Sequence, residues 1–404
     1  MDFSVETRDF IRTHLADDVR SLALGRHPEG VDMRAALVQI AGHQAALQKL
    51  PEWAAADGVL WPEHISMEQC TSQQLAAFKA GIVDRVLPVG FSMADITGGM
   101  GVDCLYLSGN AGKVCYNDMN AALCELAAHN LPLLGRDNVA VSNLRAENFL
   151  DSRSGEHFGL LYIDPARRSA TGGKLVSLKD CQPDITVLQH RMLDMADVVM
   201  VKMSPMLDIS VALSELSCVT ELWVLSLAGE CKELLAVLRP GFNGDAEIIA
   251  VNIAADGKAG PELRSTRAAD AERSLPLAQA GDVCAGGYLY EPFAAQMKSG
   301  LFRTLCGTYG VRQLHADSHL FLSESLIEGF PGRVFEIESV CQFDKRSART
   351  LFSQYPQANI AVRNFPLSAD ELRSRFRVRD GGAHYIFGTT VCPQQRVLIT
   401  AVRH

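Results

Sequence analysis

ADITGGMGVD, at residues 94–103, decides the fold, because it ends a short apolar strand in a glycine-rich turn. Glycines there let the backbone approach a bound ligand closely, and the helix predicted to follow begins with free N–H groups. The GxGxxG turn of dinucleotide-binding folds needs a third glycine, but Gly99 and Gly101 put Cys104 at that position. The turn therefore argues against NAD and leaves two interpretations, a site for another ligand or a tight turn that binds nothing.

Short apolar strands alternate with helices on the C-terminal side of this turn. The first 88 residues have helical periodicity instead, with Leu75, Phe78 and Ile82 on one face and Thr71 or Ser72 as the expected cap. Seven strands are predicted, at Ser92–Ile96, Lys113–Asn117, Val139–Ser142, Leu160–Ile163, Val198–Lys202, Glu221–Ser226 and Glu247–Ile253. This alternation predicts a doubly wound α/β sheet that follows a helical region.

The rest of the chain is predicted to form a connecting region and a small α+β domain. Residues 252–282 are polar without an apolar repeat and are interpreted as a linker, residues 287–305 are predicted helical, and residues 333–343 read as a strand. From residue 358 the pattern indicates a strand, a helix and two strands. The predicted domains are 1–88 (helical), 89–255 (α/β core), 256–340 (linker and connecting α/β region) and 341–404 (α+β).

Length and composition are those of an ordinary globular protein. The chain has 404 residues, of which 48% are hydrophobic and 21% charged, so we expect two or three domains. No run approaches the 18 apolar residues of a membrane helix. Because Asp2, Glu6 and Asp9 occupy the start, where a secretory signal would be apolar, we expect a cytoplasmic protein without a membrane segment.

The cysteines and histidines do not predict a metal site. Eleven cysteines occur without a CxxC pair, and unpaired cysteines pack as small hydrophobic residues. His315 and His319 are four residues apart, but the glutamate of an HExxH motif is missing. We therefore expect buried free thiols and no bound metal.

Charge is distributed unevenly along the chain. The net charge is −9, and it divides into +4 over residues 300–404 and −13 over residues 1–299. Basic side chains concentrate within 341–379, a stretch that is suited to binding phosphates. These side chains are Lys345, Arg346, Arg349, Arg363, Arg373, Arg375, Arg377 and Arg379.

Polar residues also follow the second and third predicted strands. Asp118 comes about 20 residues after the glycines, where a carboxylate can accept both hydroxyls of a ribose. A solvated acid or the cap of the next helix would have the same sequence. RAENF, residues 145–149, puts Glu147 and Asn148 after the third strand, as candidates for a further polar contact.

LYIDPARR, residues 161–168, follows the fourth strand. Pro165 restricts the backbone of Asp164 at the carboxyl end of that strand, which is where parallel sheets bind ligands. Arg167 and Arg168 could bind phosphate or carboxylate, or could be a solvated surface pair.

KMSP, residues 202–205, follows the fifth strand. Lys202 and Ser204 would border the mouth of the same site. Pro205 could equally begin the next helix, in which case this segment has a structural role.

These motifs together resemble class I S-adenosylmethionine (SAM)-dependent methyltransferases. Asp95, Gly99 and Gly101 match the acidic-x-x-x-Gly-x-Gly turn of that class, and Asp118 and Asp164 follow in order. Over nearly its whole length the chain resembles a bacterial group with a helical N-terminal region, a DxTGGxGVD core and a C-terminal THUMP-like domain. The core is also similar to the trimethylguanosine synthase type of RNA guanine-N2 methyltransferases. The stretches that carry the resemblance are TSQQLAAFKA, ADITGGMGVD, YIDPARR, VKMSPMLDIS and VRNFPLSADELRSRFRVRDGG.

The resemblance implies a Rossmann-like core of seven strands that binds SAM. The residues that it assigns to the cofactor are Asp95, Thr97, Gly98, Gly99, Gly101, Asp103, Asp118, Glu147 and Asn148.

The resemblance also implies an amine acceptor. Residues 164–167 are similar to the (Asn/Asp)-Pro-Pro-aromatic motif of methyltransferases that act on exocyclic amines of bases, although Ala166 and Arg167 replace its last two residues. Asp164 and Pro165 would hold the amine for direct displacement, by alignment and desolvation. Methylation of C5 of a pyrimidine is not expected, because that reaction needs a cysteine nucleophile beside the site and the first cysteine after Asp164 is Cys181, 17 residues further on.

A THUMP-like domain implies structured RNA as the partner, since THUMP domains grip RNA. The candidates for phosphate contacts are Arg363, Arg373, Arg375, Arg377 and Arg379, with a solvated helix face as the alternative. Two other functions stay open. One is methylation of a protein or small molecule, and the other is a non-catalytic SAM-binding protein that interacts with RNA.

Overall fold

The computed structural model describes residues 3–167 and 177–404. These residues form two compact units. The first unit comprises the described residues up to Glu221 together with Glu233–Gly244 and Ala255–Gly257, and the second comprises Leu222–Lys232, Asp245–Ala254 and Lys258–His404. The domain limits predicted from the sequence stay predictions.

The first unit begins with six helices, as the apolar periodicity of the first 88 residues predicts. They are α1 (Val5–Thr13), α2 (Val19–Leu24), α3 (Met33–Lys49), α4 (Pro51–Ala55), α5 (His64–Gln69) and α6 (Gln73–Val86). Side-chain oxygens cap the first three, at Ser4, Asp18 and Asp32. Ser72 stands at the N-cap of α6 but makes no capping bond with its side chain, and Thr71 donates its hydroxyl to Asp103 instead.

These helices share a hydrophobic core with the α/β part of the first unit. Trp53, Trp61 and Met67 belong to the same buried cluster as Val102 and Leu131. On α6, the buried residues Leu75 and Ile82 lie on the predicted apolar face. The helices are therefore part of the folded core of the unit.

A mixed sheet and a separate short strand pair follow these helices. In chain order the strands are β1 (Ser92–Asp95), β2 (Lys113–Asn117), β3 (Val139–Ser142), β4 (Phe158–Ile163), β5 (Ala166–Arg167), β6 (Cys181–Gln182), β7 (Ala196–Met203), β8 (Val219–Leu227) and β9 (Glu230–Leu238). Strands β5 and β6 pair only with each other and form the separate pair. The helices between them are α7 (Val102–Leu107), α8 (Ala121–Leu133), α9 (Ala146–Ser152), α10 (Ile185–Met195) and α11 (Ile209–Glu215).

Seven neighbouring strands of this sheet have the order β8-β9-β7-β4-β1-β2-β3. Strands β3, β2, β1, β4 and β7 are parallel, and β9 runs antiparallel to β7. The predicted α/β sheet is thus confirmed, with the addition of β9, which lies beside β7 and was not predicted. Glu247–Ile253 is a strand, as predicted, and belongs to the second unit.

In the second unit, β10 (Glu247–Ile253) pairs antiparallel with β11 (Leu263–Thr266). The polar stretch interpreted as a linker therefore contains a strand, and also α12 (Arg267–Glu272), which the Thr266 hydroxyl caps.

The second unit also contains a sheet of seven strands. Its elements are β12 (Tyr288–Pro292), α13 (Ala294–Ser299), α14 (Phe302–Tyr309), β13 (Arg312–Gln313), β14 (Phe321–Ser323), β15 (Gly332–Gln342), α15 (Lys345–Gln354), β16 (Asn359–Arg363), α16 (Ala369–Phe376), β17 (His384–Val391) and β18 (Gln395–Arg403). The strand order is β13-β14-β12-β15-β18-β17-β16. The predicted order of strand, helix and two strands from residue 358 is confirmed.

One segment of the second unit has a different structure from its prediction. Residues 287–305 were expected to be helical throughout, but Tyr288–Pro292 forms β12 between β14 and β15. Leu289 and Tyr290 are buried there, and helices begin only at Ala294. Pairing on both edges of the strand thus outweighs the local helical pattern.

Candidate active site

A cavity of about 250 Å³ opens in the first unit where β1, β2 and β4 end. The glycine turn, α5 and the residues after it also line this cavity. Parallel strands present their carboxyl ends at one edge of the sheet, which explains why motifs far apart in sequence meet here. Of the predicted residues, those that line it are Asp95, Thr97, Gly98, Gly99, Asp103, Asp118, Glu147 and Asp164.

The glycines of the turn have different physical roles. A Cβ on Gly98 would lie 2.1 Å from the ring of Tyr116, so no larger residue fits. Gly99 has φ +55° and Gly101 has φ +90°, a conformation that favours glycine. A Cβ on Gly99 would meet only open space, and Tyr116 donates its hydroxyl to the Gly99 carbonyl at 2.5 Å. The turn is therefore fixed by Tyr116 on one side and open to the cavity at Gly99.

Asp95 brings a buried carboxylate to the cavity. Its Oδ1 accepts the Thr97 N–H at 3.2 Å, whereas its Oδ2 is buried and has no hydrogen-bond partner among the described residues. Burial, followed by the negative charge of Asp103, raises the pKa of Asp95 well above its ordinary value. A cationic group in the cavity would satisfy this carboxylate.

Asp118 is bound to the glycine turn. Its Oδ2 accepts the Gly99 N–H at 2.9 Å and its Oδ1 accepts the Asn120 N–H at 2.8 Å. The interpretation of Asp118 as the cap of α8 is wrong, because Asn120 is that cap and accepts from Ala122. Asp118 instead faces the cavity.

The two candidates on α9 separate in the structure. Glu147 lines the cavity in the first turn of α9, with its carboxylate 3.6 Å from the Arg145 guanidinium. Asn148 is exposed and is not one of the described residues around the cavity. The structure therefore brings Glu147 to the site and not Asn148.

Asp103 is part of a buried ionic cluster. Its carboxylate lies 2.8 Å from the ammonium of Lys79 and accepts hydrogen bonds from Thr71 at 2.7 Å and Tyr162 at 2.8 Å. Burial alone would raise the pKa of Asp103, but the cations Lys79 and Lys202 outweigh it and hold that pKa below its ordinary value. An ionised Asp103 is thus held by the protein.

Sequence reasoning did not identify Lys79 or Glu233 as members of this cluster. Lys79 is fully buried, and its Nζ also lies 3.0 Å from Glu233. The available signal was the position of Lys79 on the apolar face of α6, between Leu75 and Ile82. A lysine among buried positions needs a carboxylate partner, and here it has two.

Asp164 directly follows β4 and lies beside the ammonium of Lys202. Its Oδ2 accepts from Lys202 Nζ at 2.5 Å, and its backbone N–H donates to the Thr97 hydroxyl at 2.7 Å. Burial would lower the pKa of Lys202, but Asp164, Asp103 and Glu233 together raise it. The raised pKa favours the protonated form of Lys202, and Asp164, which lines the cavity, has further lone pairs that can accept hydrogen bonds.

The residues after β4 and β7 frame this ion pair. Pro165 is buried, and Arg167 belongs to β5, which pairs with β6. Arg168 lies outside the described residues. Ser204 accepts the Met206 N–H at 3.3 Å. Helix α11 begins at Ile209 behind the Asp208 cap, so Pro205 does not start it.

The predicted phosphate contacts all lie in the second unit. Arg363 donates to Glu291, and Arg373 donates to Asp370 and Asp380. Arg375, Arg377 and Arg379 are exposed at the end of α16 and after it. Among the described residues, no carboxylate forms an ion pair with Arg375, Arg377 or Arg379, in contrast to Arg363 and Arg373.

Over residues 3–167 and 177–404, no group of three or more His, Cys, Asp or Glu side chains could hold a metal ion. Within the same residues, no helix combines the length and apolar character needed to cross a bilayer.

Comparison with known proteins identifies the chain. Residues 332–403 match a THUMP domain-like family and residues 288–331 match a ferredoxin-like domain family. A crystal structure of a candidate methyltransferase from Porphyromonas gingivalis W83 is 30% identical and superposes with a TM-score of 0.86, covering 100% of this chain and 99% of that one. The chain therefore belongs to this family of methyltransferases with a class I core and a C-terminal THUMP-like domain.

Other solved structures match more weakly. An rRNA methylase from Streptococcus thermophilus is 16% identical with a TM-score of 0.32, covering 40% of this chain and 94% of that one. A type I restriction-modification methyltransferase subunit from Streptococcus thermophilus is 17% identical with a TM-score of 0.36, covering 61% of this chain and 63% of that one. No curated protein matches the sequence.

Proposed function

We propose that the protein transfers a methyl group from SAM to a neutral exocyclic amine of a base in structured RNA. The observation that carries the proposal is that one cavity collects the carboxylates of Asp95, Asp118 and Asp164 around the open turn at Gly99. The domain limits, the cytoplasmic location and the RNA partner are parts of this proposal.

The described residues fit SAM. The buried Oδ2 of Asp95, without a partner among the described residues, suits the ammonium of the cofactor. Asp118 keeps lone pairs for ribose hydroxyls beyond its two backbone contacts. The open space at Gly99 leaves room for a ligand against the backbone. When bound, SAM supplies a methyl group on a positively charged sulfur.

Asp164 and Lys202 are the groups that would select the acceptor. The Lys202 ammonium neutralises Asp164 at 2.5 Å, so the pair does not attract an ammonium ion. An uncharged amine can still donate an N–H to Asp164, which orients the nitrogen lone pair. A lysine side chain, protonated in water, would meet a neutral pair and carry no lone pair. This arrangement favours the amine of a base over that of a protein or polyamine.

No proton acceptor with a suitable pKa is required for the transfer. Thr97 fixes the backbone of Asp164 through its hydroxyl, and the buried Tyr162 closes the floor. Both act by alignment and by exclusion of water from the reacting nitrogen. After the transfer the methylated nitrogen is positively charged and acidic, and it releases its proton to water.

The second unit supports RNA as the partner. Exposed basic side chains occupy α15 and the end of α16, where they can contact phosphates. They are Lys345, Arg346, Arg349, Arg375, Arg377 and Arg379.

The experiment is transfer of labelled methyl from SAM into RNA, protein and small-molecule fractions of cells that lack the protein. Label in RNA that disappears with Asp164→Asn is the expected result, provided that the variant melts like the wild type. Label in protein or metabolites would instead favour the alternative suggested by the missing aromatic at Arg167. Tight SAM binding without transfer to any fraction would indicate a non-catalytic protein.

A further inference from the structure

A carboxylate in the second unit holds two arginines. Glu291 is only 3% exposed, and its Oε1 accepts from Arg363 at 2.6 Å while its Oε2 accepts from Arg333. The two arginine side chains keep 39% and 40% of their surface exposed. We call Arg333, Arg363 and Glu291 the arginine clamp.

The arginine clamp carries more positive charge than Glu291 needs. One guanidinium suffices to neutralise a buried carboxylate, and the second leaves a net charge of +1. Each guanidinium has five N–H donors; Arg363 uses one on Glu291 and one on the Val362 carbonyl. The remaining donors, oriented by the shared carboxylate, match the geometry of a phosphate.

An aromatic pair is connected to the arginine clamp by hydrogen bonds: Ser318, which precedes His319, donates its hydroxyl to the Thr390 carbonyl, and the Thr390 hydroxyl donates to the carbonyl of Asn364, the residue after Arg363. His319 stacks on Phe302 with ring centroids 4.5 Å apart, and both side chains are half-buried. Burial lowers the pKa of His319, Asp317 opposes this, and nearby Arg363 lowers it further. A half-buried imidazole that is neutral can stack on a base.

The backbone at the cluster is strained. His319 and Asn364, the residue after Arg363, both have φ +50° although neither is glycine. Strain of this kind persists where the surrounding structure enforces it, and it concentrates at ligand sites. The Asn364 carbonyl is held by the Thr390 hydroxyl at 2.5 Å.

We propose that this cluster binds one single-stranded nucleotide of the substrate RNA, with its phosphate on Arg333 and Arg363 and its base on His319. The inference rests on the proposed RNA function and adds a place outside the methyl-transfer cavity where the RNA is held.

The test is binding of a fluorescent single-stranded RNA oligonucleotide to the full chain without SAM, measured by anisotropy over a range of salt concentrations. Arg333→Gln and Arg363→Gln should each weaken binding. Each should also make the negative slope of log affinity against log salt less steep by about 0.7, the value for one phosphate contact on a single strand. Arg26→Gln removes the same charge from an exposed site in the first unit and should leave the slope unchanged.

His319→Ala should weaken binding about tenfold, the cost of one lost base stack, without changing the slope. Arg363→Lys keeps the positive charge and a bond to Glu291, so it is the variant to use if Arg363→Gln does not fold. It should keep the salt slope of the wild type but bind the RNA more weakly. Wild-type binding with unchanged slopes in both glutamine variants would overturn this inference alone. No binding of the oligonucleotide by the wild type would overturn this inference, and no binding of folded cellular RNA either would overturn the proposed RNA function as well.

Discussion

Replacing Lys79 with methionine removes the cation that joins α6 to the floor of the cavity. Lys79→Met keeps the length of the side chain but leaves Asp103 and Glu233 buried without their ammonium, which lies 2.8 and 3.0 Å from them. At an effective dielectric constant near 20, each of these contacts is worth about 5 kcal/mol before desolvation. Removing one partner from a buried pair costs about 3–5 kcal/mol, and we expect a loss in that range.

The assay is urea unfolding followed by tryptophan fluorescence. Trp53 and Trp61 are buried in the first unit, so their emission reports its unfolding. The matched control is Lys113→Met, because the Lys113 ammonium lies 2.9 Å from Glu156 but the two side chains are 57% and 36% exposed. An exposed pair contributes about 0–1 kcal/mol, so the control should unfold almost like the wild type.

A second comparison separates charge from packing. Adding Asp103→Asn and Glu233→Gln to Lys79→Met removes the unpaired charges, so the triple variant should recover part of the lost stability. The reasoning is refuted if Lys79→Met loses no more free energy of unfolding than Lys113→Met. It is also refuted if the triple variant is less stable than Lys79→Met alone.

Two further predictions concern the cavity. Burial raises the pKa of Asp95 in the folded protein, so its ionisation in the unfolded chain lowers the stability of the wild type as the pH rises above about 4. Asp95→Asn should therefore melt at a higher temperature than the wild type at pH 7 and lose this advantage toward pH 4. The variant should also bind SAM more weakly in calorimetry. A pH-independent difference in melting would reject the shifted pKa. Gly98→Ala puts a Cβ 2.1 Å from the Tyr116 ring, so it should cost about 1–3 kcal/mol of stability and abolish SAM binding, and normal binding would contradict the description of the turn.

Most of the sheet could be predicted because each strand ends in a local signal. The strands that end at Asp95, Asn117 and Ile163 are short apolar runs followed by glycine or polar residues. Strand β9 was missed because Leu234–Leu238 is a continuous apolar run, which periodicity cannot distinguish from a buried helix. Strand β12 was read as helix because its two partners, β14 and β15, come later in the sequence.

The motif residues of the site could be found from the sequence, whereas their partners could not. Asp95 and Asp164 follow strands that are predictable, so their meeting at one edge is expected. The contact between Lys79 and Glu233 joins residues 154 positions apart, and no local sequence pattern predicts it. The ion pair between Lys202 and Asp164 was likewise not predicted, although both residues were assigned to the same site.

The central claim is that Asp164 and Lys202 present an uncharged exocyclic amine for methylation. The most direct measurement is mass spectrometry of nucleosides from RNA of cells lacking the protein, after incubation with the enzyme and SAM that carries a deuterated methyl group. The account predicts label on an exocyclic nitrogen, reduced about a hundredfold by Asp164→Asn, because the nitrogen loses its alignment. Label on a ring carbon or a ribose oxygen, or label confined to protein, would contradict it.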